Sequence, residues 1–284
     1  MENSKTFLKN TVVNTTSPIG GNVLTIKTVQ ISPFRTLITA LKDILIETNI
    51  SFQPDGIRII NMDKSHTILV HLYLEASNFE FYECIKEKII IGVNMFHLFK
   101  LITSIDNDDT LTIYIENNDY FDGIVSHLAL RFENGNIKQC KTQKLKLIEP
   151  EQDELEVPNV KFSSIINLPS ADFQKIIRDL SCISDKLEIK SVGNELIFKC
   201  QGQFASVEIH RAEADESMKF ILKQDSSKVI QGEFSLKNLG YFIKCTNLCR
   251  QIEVYLENDL PLVVKYNVAS LGAIKLGLVP LPST

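Results

Sequence analysis

The chain has 284 residues, 44% of them hydrophobic and 23% charged, with 30 Lys and Arg against 35 Asp and Glu for a net charge of −5. This length suits two cores of about 120 to 140 residues better than one. The negative balance argues against a protein that coats nucleic acid over its whole surface, although it permits one basic face.

No apolar run approaches the roughly 18 residues that read as a membrane span; Ile89-Ile90-Ile91-Gly92-Val93 is strand-sized. Met1-Glu2-Asn3-Ser4-Lys5 does not lead into an apolar segment, so no secretory signal is expected and an intracellular, membrane-free protein is. Six cysteines (Cys84, Cys140, Cys182, Cys200, Cys245, Cys249) form no C-x-x-C pair, and the five histidines (His66, His71, His97, His127, His210) are scattered. Neither a disulfide framework, a metal site nor a cofactor is expected from that pattern.

Residues 1–22 read as a loosely ordered extension, and a first domain as 23–138. Ser32 as N-cap and Pro33 at the first helical position open a helix through Phe34, Leu37, Ile38, Leu41, Ile44 and Leu45, a stripe of period 3.6. Strands follow at 50–52 and 57–60, around the turn Pro54-Asp55-Gly56, then at 68–74 and 79–82. Asn94 to Ser104 is a second helix; 111–116 and 127–133 are strands. Residues 139–158 hold Lys141, Lys144, Lys146, Glu149, Pro150, Glu151, Asp153, Glu154 and Pro158 and read as a surface linker. The linker's apolar residues Leu145, Leu147, Ile148, Leu155 and Val157 must rest on something. In the second domain, 159–284, Ser170 caps a helix burying Phe173, Ile176, Ile177 and Leu180, and Ser235 caps one carrying Leu236, Leu239 and Ile243.

The two halves are copies. The stretch from Val93-Asn94-Met95 to Asn117 aligns without a gap on Phe234-Ser235-Leu236 to Asn258, 141 positions on. Phe34-x-x-Leu37-Ile38-x-x-Leu41 recurs at an offset of 139 as Phe173-x-x-Ile176-Ile177-x-x-Leu180. The class is therefore α+β, two similar domains each with two helices on an antiparallel β layer. Such symmetry builds a closed or stacked assembly more readily than a single pocket.

All four helices carry cations outside their apolar stripes: Arg35 and Lys42, Lys100, Lys175 and Arg178, Lys237 and Lys244. Taking these seven from the 30 cations leaves 23 against 35 acids elsewhere. Two readings stand: solvated helix faces that favour Lys and Arg, or a surface that meets phosphates without reading bases. No aromatic-interleaved basic stripe is evident, which disfavours single-strand stacking. No phosphate loop, G-x-S-x-G, H-E-x-x-H or metal-ligand spacing is present, and no enzymatic activity is expected.

Several motifs in order make the chain resemble the DNA sliding clamps of the proliferating cell nuclear antigen family over about residues 23 to 281. They are Ala40-Leu41-Lys42-Asp43, Met62-Asp63-Lys64-Ser65-His66, Gly92-Val93-Asn94, Arg178-Asp179-Leu180-Ser181 and Leu260-Pro261-Leu262-Val263-Val264-Lys265-Tyr266. The resemblance implies a homotrimeric head-to-tail ring, its helices lining a hole around double-stranded DNA. Such a ring acts as a processivity factor tethering DNA polymerase and repair proteins, opened by a clamp loader where DNA is replicated, in a nucleus or a host compartment used by a virus. One subunit of a heterotrimeric clamp and a monomeric processivity factor remain alternatives.

On this resemblance the seven helix cations face DNA. The ring edges fall near Leu128, Leu130 and Phe132 and near Ala205, Val207 and Ile209. Met62, His66, Leu69, Leu155, Val157, Pro261, Val279 and Pro280 receive short partner peptides that carry a glutamine, an aliphatic anchor and aromatics. Departures from the family pattern mark a divergent member, with a viral source as the expectation. Leu276-Gly277 stands where an aromatic is usual, Thr36 and Thr103 where cations are common, and Asp119-Tyr120-Phe121-Asp122-Gly123 lengthens a loop.

Overall fold

In the computed structural model, the residues described are 21–151, 155–223 and 228–282; residues 1–20 of the expected extension and 152–154 of the expected linker lie outside them. The first half runs β1 (Asn22–Thr28), α1 (Ile31–Ile44), β2 (Glu47–Gln53), β3 (Gly56–Met62), β4 (Ile68–Glu75), β5 (Phe81–Cys84), β6 (Ile89–Asn94), α2 (Met95–Ile102), β7 (Thr110–Glu116), β8 (Tyr120–Phe121), β9 (Ile124–Val125), β10 (His127–Asn134) and β11 (Gln139–Lys146). The second half runs β12 (Ser164–Pro169), α3 (Ser170–Ser181), β13 (Lys186–Val192), β14 (Glu195–Gln201), β15 (Ser206–Ala212), β16 (Lys219–Lys223), β17 (Ile230–Ser235), α4 (Leu236–Phe242), β18 (Gln251–Leu256), β19 (Leu262–Val268) and β20 (Gly272–Leu278).

Local chemistry explains two helix starts and corrects two. Asn94 and Ser235 cap α2 and α4, their side chains accepting from the backbone N–H of His97 (3.1 Å) and Asn238 (3.4 Å). Ser32 does not cap α1, which begins two residues earlier than expected, at Ile31 after Gln30; Pro33 still sits in the first turn, where a missing N–H costs nothing. Ser170 is not a cap either. It is the buried first residue of α3, and its hydroxyl donates to the carbonyl of Cys249 at 2.6 Å, tying the helix to the approach to β18. α2 stops at Ile102, short of Ser104, with Thr103 as C-cap.

The strands reproduce the repeat. One sheet of the first half has the order β11-β10-β7-β1-β5, and the matching strands of the second half run β20-β19-β18-β12-β16. The remaining strands form β4-β3-β2-β6 and, correspondingly, β15-β14-β13-β17, apart from the small hairpin β8-β9. The halves are joined because β20 pairs antiparallel with β4 from Gly272↔Leu74 to Leu278↔Ile68, fusing two of these sheets into one of nine strands.

Helices α1 to α4 and a 3-10 segment, Ile243–Leu248, pack against one another. Their apolar stripes meet the sheets in a continuous core. Phe34, Leu37, Leu98, Leu128 and Leu130 belong to its first half and Phe173, Leu180, Phe198, Phe242 and Tyr266 to its second.

The expected linker is shorter than its charge pattern implied. Gln139–Lys146 is strand β11, paired with β10 along its whole length from His127↔Lys146 to Asn134↔Gln139. Lysines on one strand look like linker charge, yet a strand paired on one side tolerates them because its side chains reach water.

Candidate nucleic-acid interface, ring edges and docking groove

The helix cations fall into two groups. Lys100, Lys175, Arg178 and Lys237 are exposed, and none forms an ion pair among the described residues. The other three are engaged. Arg35 is half-buried and its guanidinium donates to the Ile105 carbonyl after α2. Lys42 of α1 and Lys244 of the 3-10 segment share the carboxylate of Asp43, at 2.7 and 2.5 Å. Partial burial would raise the Asp43 pKa, but the hydrogen bonds from Lys244 and Lys42 outweigh it and hold the group below the usual carboxylate range.

Three lysines lie over aromatic rings: Lys42 on Phe99 (4.6 Å), Lys100 on Phe96 (4.6 Å) and Lys244 on Tyr241 (5.4 Å). Ring faces attract ammonium groups and preset the lysine stems. Sequence reading missed this aromatic support: Lys42 and Phe99 stand on different helices and gave no local signal, whereas Phe96 with Lys100 and Tyr241 with Lys244 lie at helical spacing that could have been read. It also missed Lys141, whose ammonium reaches the Ser104 hydroxyl at the end of α2 (3.1 Å). Its even spacing from buried Leu145 on one strand was the available signal.

The edges differ from expectation in one half. Leu128, Leu130 and Phe132 are 3%, 0% and 3% exposed on β10, which is flanked by β7 and β11. The free edge is β11. Alternating apolar residues fit a central strand as well as an edge strand, so the pattern alone pointed one strand too early. Val207 and Ile209, with Ala205 just before, do lie on an edge strand, β15, which pairs only with β14.

Two other edges are covered. The Leu281 N–H donates to Glu233 of β17 (2.7 Å), and the Ile148 N–H to Gly92 of β6 (3.0 Å). β11 carries Lys141, Lys144 and Lys146 and no acid. β15 carries Glu208, beside His210, whose imidazole is held above its usual pKa by Glu195 and Glu208.

The predicted peptide-binding residues gather in part. Met62↔Leu69, Leu69↔Gly277 and Gly277↔Val263 are register neighbours across β3, β4, β20 and β19. Pro261 precedes β19, while Val279 and Pro280 leave β20, with the Val279 N–H donating to Thr67 (3.0 Å). His66 is exposed in the β3–β4 turn with φ +54°. Asp63 organises that turn, accepting from the N–H groups of Thr67 (2.8 Å) and Ile68 (2.6 Å).

Leu155 and Val157 remain 40% and 38% exposed. Leu155 hangs over a hollow of about 220 Å³ lined by Asn49, Ile60 and Ile90. The linker enters there, because the Asn49 side chain bonds both backbone groups of Glu151 (2.7 and 3.0 Å). Gly277 is buried between Leu69 and Val263, whose atoms would lie 3.5 and 3.9 Å from an added Cβ, ordinary contact distances.

Residues 23–155 match the N-terminal domain of proliferating cell nuclear antigen, and 156–281 its C-terminal domain. The chain belongs to the proliferating cell nuclear antigen family. Among its relatives, "Probable DNA polymerase sliding clamp 1" of Paramecium bursaria Chlorella virus 1 is 33% identical over 263 residues, 91% of this chain and 97% of that protein. "Probable DNA polymerase sliding clamp" of Acanthamoeba polyphaga mimivirus is 35% identical over 226 residues, 80% of this chain and 47% of the longer mimivirus protein. Both relatives are viral, in keeping with a divergent member of the family.

Proposed function

We propose that this chain is a DNA sliding clamp: three copies close head to tail around duplex DNA and tether DNA polymerase at the site of replication. The observation that carries this is the fate of equivalent edges. β20 and β4 are paired within the chain, whereas their copies, β11 and β15, are both left with one open side. Pairing β11 of one subunit with β15 of the next repeats the join already made between halves. An open β edge is an association hazard that a closing heterologous contact removes. Two β11 edges would set lysines against lysines, whereas β15 carries Glu208 alongside His210 and Arg211 and avoids that lysine-on-lysine pairing.

With the edges so joined, the helix layers of all copies share one side. Their free cations, Lys100, Lys175, Arg178 and Lys237, supply weak phosphate contacts without base readout, which suits sliding. Partner proteins dock a short peptide with glutamine, aliphatic and aromatic anchors on the row Met62, Leu69, Val263 together with Leu155 and Val157 of the linker, where apolar burial supplies most of the affinity. A clamp loader opens one joint to admit DNA.

Native mass measurement at micromolar concentration tests the ring. Three times 32.2 kDa is expected, and a monomer at every accessible concentration would sink the homotrimer.

A further inference from the structure

The outward face of β19, β20, β4 and β3 has two chemically distinct ends. At one end lie Met62, Leu69, Gly277 and Val263. Two residues along the strands, Lys265 pairs with Lys275 and Lys275 with His71, while Arg58 pairs with Tyr73 next to them. These side chains line a broad hollow of about 580 Å³. Like charges on directly opposed strand positions oppose folding, so three basic residues in a row need compensation.

Only part of it is present. Lys265 is paired with Glu253 (3.0 Å) and Arg58 with Asp55 (2.6 Å), but Lys275 has no ion-pair partner among the described residues. Glu75 lines the far end of the hollow, and Tyr73 lies under the Arg58 guanidinium at 4.5 Å. His71 is half-buried, and burial followed by the charges of Lys275 and Arg58 lowers its pKa. Glu253 acts on Lys275 only at longer range, so the centre of the hollow keeps a positive charge with no carboxylate bonded to it among the described residues, two residues along the strands from the apolar row.

We propose that this hollow receives the carboxylates of an acidic stretch in a partner protein, next to the anchors that occupy the apolar row. The inference rests on the docking reading above and adds a charge preference to it: Lys275 and His71 select partners whose anchor is flanked by Asp or Glu.

The test uses the full chain and two synthetic peptides with the same glutamine, aliphatic and aromatic anchors, one flanked on both sides by four Glu and one by four Ser. Fluorescence anisotropy at low salt should show the Glu-flanked peptide binding about fivefold more tightly, as an ion pair to Lys275 supported by a hydrogen bond from His71 would give. That gain should shrink with salt and disappear in Lys275→Ala combined with His71→Ala, with the Ser-flanked peptide unaffected. It should persist in Lys199→Ala, a control cation on β14.

No gain from the Glu flanks, or a gain that survives the double substitution, overturns the acidic preference and leaves the apolar groove standing. Binding of neither peptide removes the groove reading, and this inference with it.

Discussion

Asp43 and Lys244 stand 201 residues apart in the chain and 2.5 Å apart in space. Their contact links the first helix of one half to the helical segment of the other, and Lys42 completes it at 2.7 Å. Two of the seven helix cations are therefore committed to an internal anion. The helix layer has less free charge than a count of lysines implies.

Asp43→Asn releases both lysines. Duplex affinity should rise and the dependence of log affinity on log salt should steepen, while stability falls by about 1 kcal/mol or less because Lys244 is substantially exposed. Titration of duplex binding across a salt series measures the first effect and urea unfolding the second. Weaker DNA binding in the variant would mean that the pair positions the lysines for phosphate instead of withholding them.

Lys175→Ala, Arg178→Ala and Lys237→Ala together remove unpaired cations from α3 and α4. The salt slope should flatten by about 0.9 for each phosphate no longer neutralised, with unfolding unchanged within roughly 0.5 kcal/mol for surface sites. An unaltered slope would place these side chains away from DNA.

Gly92 lets the linker pass. A Cβ there would lie 2.6 Å from the Ile148 carbonyl oxygen, and that backbone is paired with β6. Gly92→Ala should cost about 1–3 kcal/mol through overpacking and should weaken peptide docking by displacing the linker. The denaturation midpoint and peptide anisotropy report the two effects separately.

Leu155→Glu or Val157→Glu places charge on the proposed docking surface without touching β11 or β15. Binding of an anchor peptide should fall at least tenfold, the size expected when a central apolar anchor worth about 1.4 kcal/mol is removed. The native mass should be unchanged; a mass shift would instead assign the linker to assembly.

Glu257 makes stability depend on acid. Partial burial alone would raise its pKa, but bonds from Ser163 (2.8 Å from the backbone N–H) and Lys228 (2.9 Å) outweigh it and bring the carboxyl from 4.5 to about 2. A folded pKa below the unfolded one means the contribution is complete above pH 4.5 and is lost as pH falls toward 2. Glu257→Gln should destabilise the protein by about 1–2 kcal/mol at pH 7 and by much less at pH 3. Equal losses at both values would show that the carboxylate charge contributes nothing.

Much of the architecture was readable from the chain because it depends on neighbours in sequence. The offset near 140, the apolar stripes from Phe34 to Leu41 and from Phe173 to Leu180, and the cap at Ser235 all express local periodicity and local hydrogen bonding. So does the placement of Lys100, Lys175, Arg178 and Lys237 outside those stripes.

Tertiary structure decided what depends on distant partners. Whether β10 or β11 ends the sheet rests on strand pairing, which the lysine-rich stretch 139–146 does not announce. Whether Ser170 caps a helix or bonds the Cys249 carbonyl depends on a segment some 80 residues away. Whether Lys244 is available to DNA depends on Asp43 in the other half. Side-chain pattern records which face is buried, but edge exposure and charge compensation are set only when remote strands and helices meet.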